Sequence, residues 1–438
     1  MQKIQSSYKD PTSSVFREGS SQRYFRALPF EPTLYNSLGF FPRVLDDQKE
    51  GLYEVERVPF VSYYYEWTFE QFKDSALYYL ELLKSLNAQG YIFSDASPLN
   101  VTYTGNGQFL FLDHGSLKKK KSEQWGAFYQ FLKEYAYPLL YLSENFSLPP
   151  LGLLPLMGSK DWMFHYKPRF ANRFTFKYAV LKSALTLSSK KSLTDFAENK
   201  KTGLSNQYQY NIEFFLDFVK GLTQKVPDKT RWERYYYETV LSGDYFLNKQ
   251  KALIEFFDKI NHDVKIAIKL GANNGILAEP LLNKYLDKRF IAIDSDIKSI
   301  INLYNKSKHC NIIPIYNSVY SLSPATGFSS SIQSLTSRLS ESADVVIALG
   351  LIHHMMHEEN LPFDKILKWL SSLIKPSGYI IAEFIEAKDP RYMLIQNPNY
   401  PYSTSILDWE NAISQYSILI KKVSLTAYRH IYLLKKVS

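Results

Sequence analysis

A single cysteine, Cys310, in a chain of 438 residues excludes a disulfide framework and any zinc site built on cysteine pairs, and it fits a reducing compartment. Long apolar runs are also missing: nothing approaches the roughly 18 consecutive apolar residues that a membrane span needs. The opening MQKIQSSYKD lacks the apolar centre of a secretion signal, so a cytoplasmic protein without a membrane segment is expected. Charge of one sign is scarce too, since 52 Lys and Arg against 43 Asp and Glu leave a net +9, modest for this length. The basic runs Lys118 to Lys121, Lys190 to Lys191 and Lys200 to Lys201 lie beside turn-forming residues and are not interleaved with aromatics. They read as solvated loops and not as a nucleic-acid surface. No metal cluster is expected.

Hydrophobic residues, by contrast, make up 45% of the chain, enough for sizeable cores, and the length implies on the order of two to three domains. Residues 1–14 are polar and expected to fray. Val15 to Leu28 reads as a hairpin about a Gly-Ser turn, Leu52 to Tyr65 as a strand-like aromatic stretch, and Phe69 to Leu86 as an amphipathic helix. Trp125 to Leu142 is a helical apolar stretch in which Pro138 marks a kink or an end. Phe174 to Leu187 and Tyr208 to Val226 read as further helices. The polar, proline-bearing KVPDKTR, Lys225 to Arg231, is the natural linker, which gives an N-terminal α+β region over 1–225, a linker and aromatic lead-in helix over 226–250, and a C-terminal domain over 251–438. The aromatics Trp232, Tyr235, Tyr236, Tyr237 and Tyr245 either close over a site in that last domain or pack against the first.

Val264 to Gly275, VKIAIKLGANNG, joins a short apolar run to a glycine-bracketed turn and then to helical periodicity over Ile276 to Leu286. A buried parallel strand feeding a helix N-terminus in this way suits a nucleotide-type ligand, although strand-to-helix turns also occur without one. Strand and helix signals then alternate: strands Arg289 to Ile293, Asn311 to Ile315, Asp344 to Leu349 and Tyr379 to Phe384, with helices Ile297 to Tyr304 and Phe363 to Ile374. A helix at Leu407 to Gln415 and two strand-like runs, Ser417 to Val423 and Tyr428 to Leu434, close the chain. The alternation predicts an α/β fold, a doubly wound Rossmann-like sheet ending in an antiparallel pair. Asn273 and Ile276 stand where a dinucleotide fingerprint has its second and third glycines, which argues against NAD.

This C-terminal pattern resembles the class I S-adenosylmethionine-dependent methyltransferases. The resemblance implies S-adenosylmethionine as cofactor, with Gly271, Ala272, Asn273, Asn274 and Gly275 on the first motif, Asp294 with Ser295 at the ribose, Asn317 near the adenine, and Leu349 in the fourth motif, ALGLIHH. A departure is Lys269, where an acidic residue is usual: either its ammonium points away from the site or cofactor affinity is reduced. His353 and His354 follow the fourth strand and are candidate bases, since an imidazole with a pKa of about 6.5 takes a proton near neutrality. One of them is expected to face the cleft, the alternative being a histidine that caps the next helix or packs under a loop. Glu383 is a further catalytic candidate, with Glu386 beside it. His357, Glu358 and Glu359 read as a solvated face.

Further upstream, Tyr91 to Leu117 carries Asp95, Asn100 and Asp113 around a hairpin, an order that resembles the catalytic loop of protein kinases and aminoglycoside phosphotransferases. There Asp95 would be the base and Asn100 and Asp113 the Mg²⁺ ligands. No glycine-rich phosphate loop or strand lysine precedes them, so the expectation is a kinase-like region that has lost or changed its chemistry. Together, ERVPFVSYYYEW, DASPLNV, WGAFYQF, LGANNG, ALGLIHHM and EFIEAKDP, in order, resemble a bacterial methyltransferase family that includes nodulation-type members with this N-terminal extension. The implied function is methyl transfer to an unidentified small-molecule or saccharide-type acceptor. The alternatives are a non-catalytic cofactor-binding scaffold and a small-molecule phosphotransferase.

Overall fold

The computed structural model describes residues 2–4, 15–18, 23–121, 125–145, 148–154, 212–233 and 243–437. The expected helix at Phe174 to Leu187, the lysines at 190–191 and 200–201, and Tyr235 to Tyr237 lie outside them. Two compact units are present: residues 1–103 and 109–227 with 327–332, and residues 104–108, 228–326 and 333–438. The division between Pro227 and Asp228 falls inside KVPDKTR, and the residues after it belong to the second unit except 327–332. No helix among the described residues is long and apolar enough to cross a membrane.

The first unit opens with five strands, β1 Gln2–Ile4, β2 Val15–Arg17, β3 Tyr24–Arg26, β4 Val44–Lys49 and β5 Leu52–Val55, in the antiparallel order β1-β2-β3-β5-β4, with helix α1, Pro32–Leu38, between β3 and β4. Gln2 to Ile4 are thus paired with β2 and do not fray as expected. The aromatic stretch after Val55 is not a strand. It forms a tight turn at Tyr64–Glu66 because Tyr64, Tyr65 and Trp67 are drawn into the core, each less than 5% exposed. Helix α2, Phe69–Ala88, is closed at its start by a reciprocal capping box between Thr68 and Gln71. Its Tyr79 stacks on Phe93, Phe131 and Tyr135, rings that each bury on the order of 150–250 Å².

Strands β6 Tyr91–Phe93 and β9 Leu117–Lys119 pair, as do β7 Val101–Gly105 and β8 Gln108–Phe111. Lys118 and Lys119 therefore sit on a strand, exposed, and not in a loop. Pro138 neither ends nor breaks its helix. Helix α3, Phe128–Phe131, passes through a π-helical stretch at Leu132–Ala136 into α4, Tyr137–Glu144, since a proline lacking N–H and crowding the preceding turn is accommodated by widening that turn. Helix α5 is Ile212–Lys220.

In the second unit, helix α6, Gly243–Ile260, precedes a seven-stranded sheet. Its strands are β10 Ile266–Leu270, β11 Arg289–Asp294, β12 Ile312–Tyr316, β13 Ala343–Ala348, β14 Ile374–Ile385, β15 Ser417–Ser424 and β16 Arg429–Lys436, in the order β12-β11-β10-β13-β14-β16-β15. The first five run parallel, and β16 is antiparallel to both of its neighbours, β14 and β15. Helices α7 Glu279–Lys284, α8 Ile297–Ser307, α9 Leu335–Leu339, α10 Ile352–Glu359, α11 Phe363–Leu373 and α12 Ile406–Tyr416 complete it. Ala267, Ile268, Lys269 and Leu270 are all buried, as expected of a central parallel strand covered on both faces. The helix expected from Ile276 begins only at Glu279, with Pro280 in its first turn, where a missing N–H costs nothing.

Candidate functional site

The chain reverses direction of strand addition between β10 and β13, and it is beyond the carboxyl ends of such strands that open α/β sheets leave a crevice. Here that crevice is a cavity of about 260 Å³. Gly271, Asn273, Asp294, Ser295 and Leu349 line it, so five of the nine residues carried over from the cofactor motifs converge. Gly271 and Asn273 have φ of 58° and 52°, left-handed values that glycine tolerates and asparagine accepts better than most residues. The Asn273 backbone N–H donates to Asp294 Oδ2 at 2.7 Å and the Asp296 N–H to Oδ1 at 2.8 Å, which aims the carboxylate across the turn. Burial raises its pKa, while these two donors oppose the shift.

The other four stand elsewhere. Ala272 is buried below the turn, and Asn274 closes the turn by accepting from the Ile276 N–H at 3.2 Å. Gly275 serves packing: a Cβ there would lie 2.6 Å from Leu303 Cδ1 of α8. Asn317 donates its backbone N–H to the Asp294 carbonyl and is 4% exposed, and its side-chain amide has neither its donor nor its acceptor matched among the described residues. An orphaned amide buried beside the acidic turn is the kind of group a bound purine satisfies, because adenine offers an adjacent donor and acceptor.

Lys269 resolves the departure noted in the sequence. Its ammonium turns beneath the loop and donates to the carbonyls of Leu270, at 2.8 Å, and Gly271, at 3.2 Å. It is 2% exposed and does not line the cavity. Burial, reinforced by the Lys249 cation, pushes its pKa down to about 7.

Of the two adjacent histidines, His354 lines the cavity and His353 does not. His353 is buried with Nδ1 unmatched, and burial together with nearby cations holds its pKa far below the usual imidazole range. His354 is held below that range by burial, partly offset by Glu358, and is therefore neutral at pH 7. Glu383 also lies away from the cavity. Lys249 Nζ and the Tyr245 hydroxyl each contact it at 2.6 Å, and with Arg429, which pairs with Asp389, they form a buried polar network. Burial opposes its charge, but the Lys249 and Arg429 cations keep its carboxyl below the ordinary range. Glu386 contacts His430 at 3.0 Å.

Sequence reasoning missed Glu358, Tyr320 and Arg231 as cavity residues, while Trp232, one of the lead-in aromatics, does close over the site. The segment Asp228 to Glu233 forms a strap. Thr230 Oγ1 and the Trp232 N–H donate to the Asp296 carboxylate at 2.8 and 3.2 Å, and Asn273 Nδ2 donates to the Trp232 carbonyl at 2.5 Å. The Trp232 ring meets His354 edge-on, 5.1 Å between centroids. The spacing of Glu358 four residues after His354 was the available signal, since such pairs share a helix face.

In the first unit, Asp95 accepts from the Ser97 N–H at 2.7 Å, Gln130 Nε2 at 2.6 Å and Asn100 Nδ2 at 3.0 Å. Asp113 accepts from the Gly115 N–H at 3.0 Å and lies 3.9 Å from the Arg26 guanidinium of β3. No three His, Cys, Asp or Glu side chains among the described residues come together as a metal site.

The second unit is an α/β fold whose strand order resembles that of the class I methyltransferases. The chain is a homologue of the nodulation protein NoeA of Rhizobium meliloti (strain 1021), with 25% identity over 425 residues, 88% of this chain and 86% of the relative. No protein-family model matches it. Among solved structures, magnesium protoporphyrin IX methyltransferase (ChlM) from Synechocystis PCC 6803 with bound SAM superposes on 47% of this chain and 90% of its own, at 13% identity and a TM-score of 0.32. The 1,6-didemethyltoxoflavin-N1-methyltransferase of Burkholderia thailandensis does so over 44% and 79%, at 11% identity and 0.33. Such loose superpositions add nothing about function.

Proposed function

We propose that the chain is an S-adenosylmethionine-dependent methyltransferase acting on a small-molecule or saccharide-type acceptor. The supporting observation is the cavity itself, which brings the turn at Gly271 and Asn273, the carboxylate of Asp294 and the neutral imidazole of His354 onto one space. Asp294 would accept from the ribose hydroxyls, having lone pairs to spare on both oxygens. Asn317 would match the adenine edge. S-adenosylmethionine, when bound, supplies a methyl group already activated by its sulfonium. What remains for the protein is to hold the acceptor in line and to take its proton, and His354 is the group poised to take it. The strap residues Arg231 and Trp232, with Tyr320, form one wall of the space between.

For the first unit we propose a kinase-like scaffold without phosphotransfer, supported by the loop order and by Asp95 and Asn100, which are already hydrogen-bonded to each other. Calorimetry with S-adenosylmethionine tests the main reading. Binding that weakens at least about tenfold, some 1.4 kcal/mol, in Asp294→Asn, where the charge but not the shape is lost, supports it. Equal heats for both proteins, or none for either, overturn it. Binding of Mg²⁺ and ATP lost in Asp113→Asn would overturn the scaffold reading.

A further inference from the structure

Three parts of the cavity wall meet at one carboxylate. Glu358 Oε1 lies 3.2 Å from His354 Nδ1, one turn earlier on α10, and 3.5 Å from the Arg231 guanidinium on the strap. Its Oε2 accepts from the Tyr320 hydroxyl at 3.4 Å. The Arg231 guanidinium also lies over the Trp232 ring, 4.5 Å from its centroid, and that ring abuts His354. The strap is itself tied to the turn after β11, through Asp296, and to Asn273. A single oxygen is therefore shared between a permanent cation on a connecting segment and a titratable ring on a helix.

We infer that Glu358 is a positioning residue for His354, and that Arg231 on the strap governs how much of the Glu358 charge the imidazole receives. The inference rests on the reading of His354 as the proton acceptor. A carboxylate at Nδ1 keeps the ring proton on that nitrogen and leaves the Nε2 lone pair for the acceptor's proton. It also stabilises the imidazolium that forms once the proton has moved. Arg231 works against this, because a cation at the same oxygen neutralises the charge the imidazolium needs. Among the described residues no other charge is placed at the ring to do this. His353 is buried and neutral, His357 is bonded to the Tyr392 hydroxyl, and Glu233 on the strap pairs with Lys298 at 3.2 Å. Arg231, held in place by the strap, thus weakens His354 as a base, and its removal strengthens it, so the strap and proton transfer are coupled through one side chain.

Histidine ring titration by NMR on the full chain tests this without any acceptor, the His354 resonance being identified by its loss in His354→Gln. Glu358→Gln, which keeps an oxygen at the same place, should lower the His354 midpoint by about one pH unit. Glu358→Asp should restore part of it. Arg231→Gln should raise the midpoint by a few tenths of a pH unit, as expected for a largely exposed cation, and this rise should vanish when Glu358→Gln is also present. An unmoved midpoint in Glu358→Gln overturns the positioning role. A rise from Arg231→Gln that persists undiminished without Glu358 overturns the sharing. Calorimetry with S-adenosylmethionine on the same proteins reports on the cofactor reading alone, so the two can fail separately.

Discussion

Lys249 of α6 and Glu383 of β14 form an ion pair at 2.6 Å with side chains 1% and 0% exposed, and this pair joins the lead-in helix to the middle of the sheet. A buried pair of this kind adds little beyond what a well-packed apolar pair would, because desolvation offsets attraction, but removing one partner strands the other. Lys249→Met should destabilise the chain by about 3–5 kcal/mol, and Lys249→Met combined with Glu383→Leu should recover much of that. Urea unfolding of the full chain is the measurement, and a double variant no better than the single one would contradict it. The pair also sets a pH dependence. Glu383 and Asp389 are both held below their ordinary values by their cations, despite burial, so their contribution is intact above about pH 4.5 and is lost as pH falls through the lower folded values.

Lys269 carries a prediction for the cofactor. Its folded pKa of about 7 means that the ammonium is charged at pH 6 and mostly neutral at pH 8. Affinity for S-adenosylmethionine, which brings a sulfonium, should therefore rise across that interval, and Lys269→Met should flatten the rise. S-adenosylhomocysteine, without the sulfonium charge, should show a weaker dependence in the unaltered protein. Equal slopes for both ligands would remove Lys269 from the account.

Two glycines of one turn should respond differently. Gly271→Ala has room, with its nearest neighbour atom at 3.7 Å, and should cost about 1–2 kcal/mol for its left-handed φ alone. Gly275→Ala has the same backbone cost and also meets Leu303 at 2.6 Å, adding about 1–3 kcal/mol of overpacking. Denaturation midpoints of the two variants decide the matter, and an equal loss would mean that α8 yields easily.

Trp232 should report cofactor binding. It lines the cavity beside Asn273, whereas Trp409 is fully buried in the sheet's helical layer. Most of the change in tryptophan fluorescence on adding S-adenosylmethionine should disappear in Trp232→Phe. A change of undiminished size would locate the signal elsewhere and leave the strap as a passive wall.

Local pattern alone carried the alternation from Ile266 to Lys436, the terminal antiparallel pair and the turn at Gly271, because apolar periodicity and turn chemistry are written within a few residues of where they act, while Asp294 is singled out only by the family resemblance. Tertiary structure decided what those residues face. Gly275 and Asn274, carried over with the cofactor motif, do not line the cavity and are engaged with Leu303 and Ile276, since only packing fixes which atoms of a tight turn are left for a ligand. His353 and His354 are indistinguishable in sequence, and helix phase alone turned one into the core and the other to the cavity. Lys269 and Glu383 are charges whose roles depend on partners from other elements. The first lies buried under its own loop and the second is paired with Lys249, 134 residues away, because a buried charge settles wherever compensation is close in space and not where it is close in the chain.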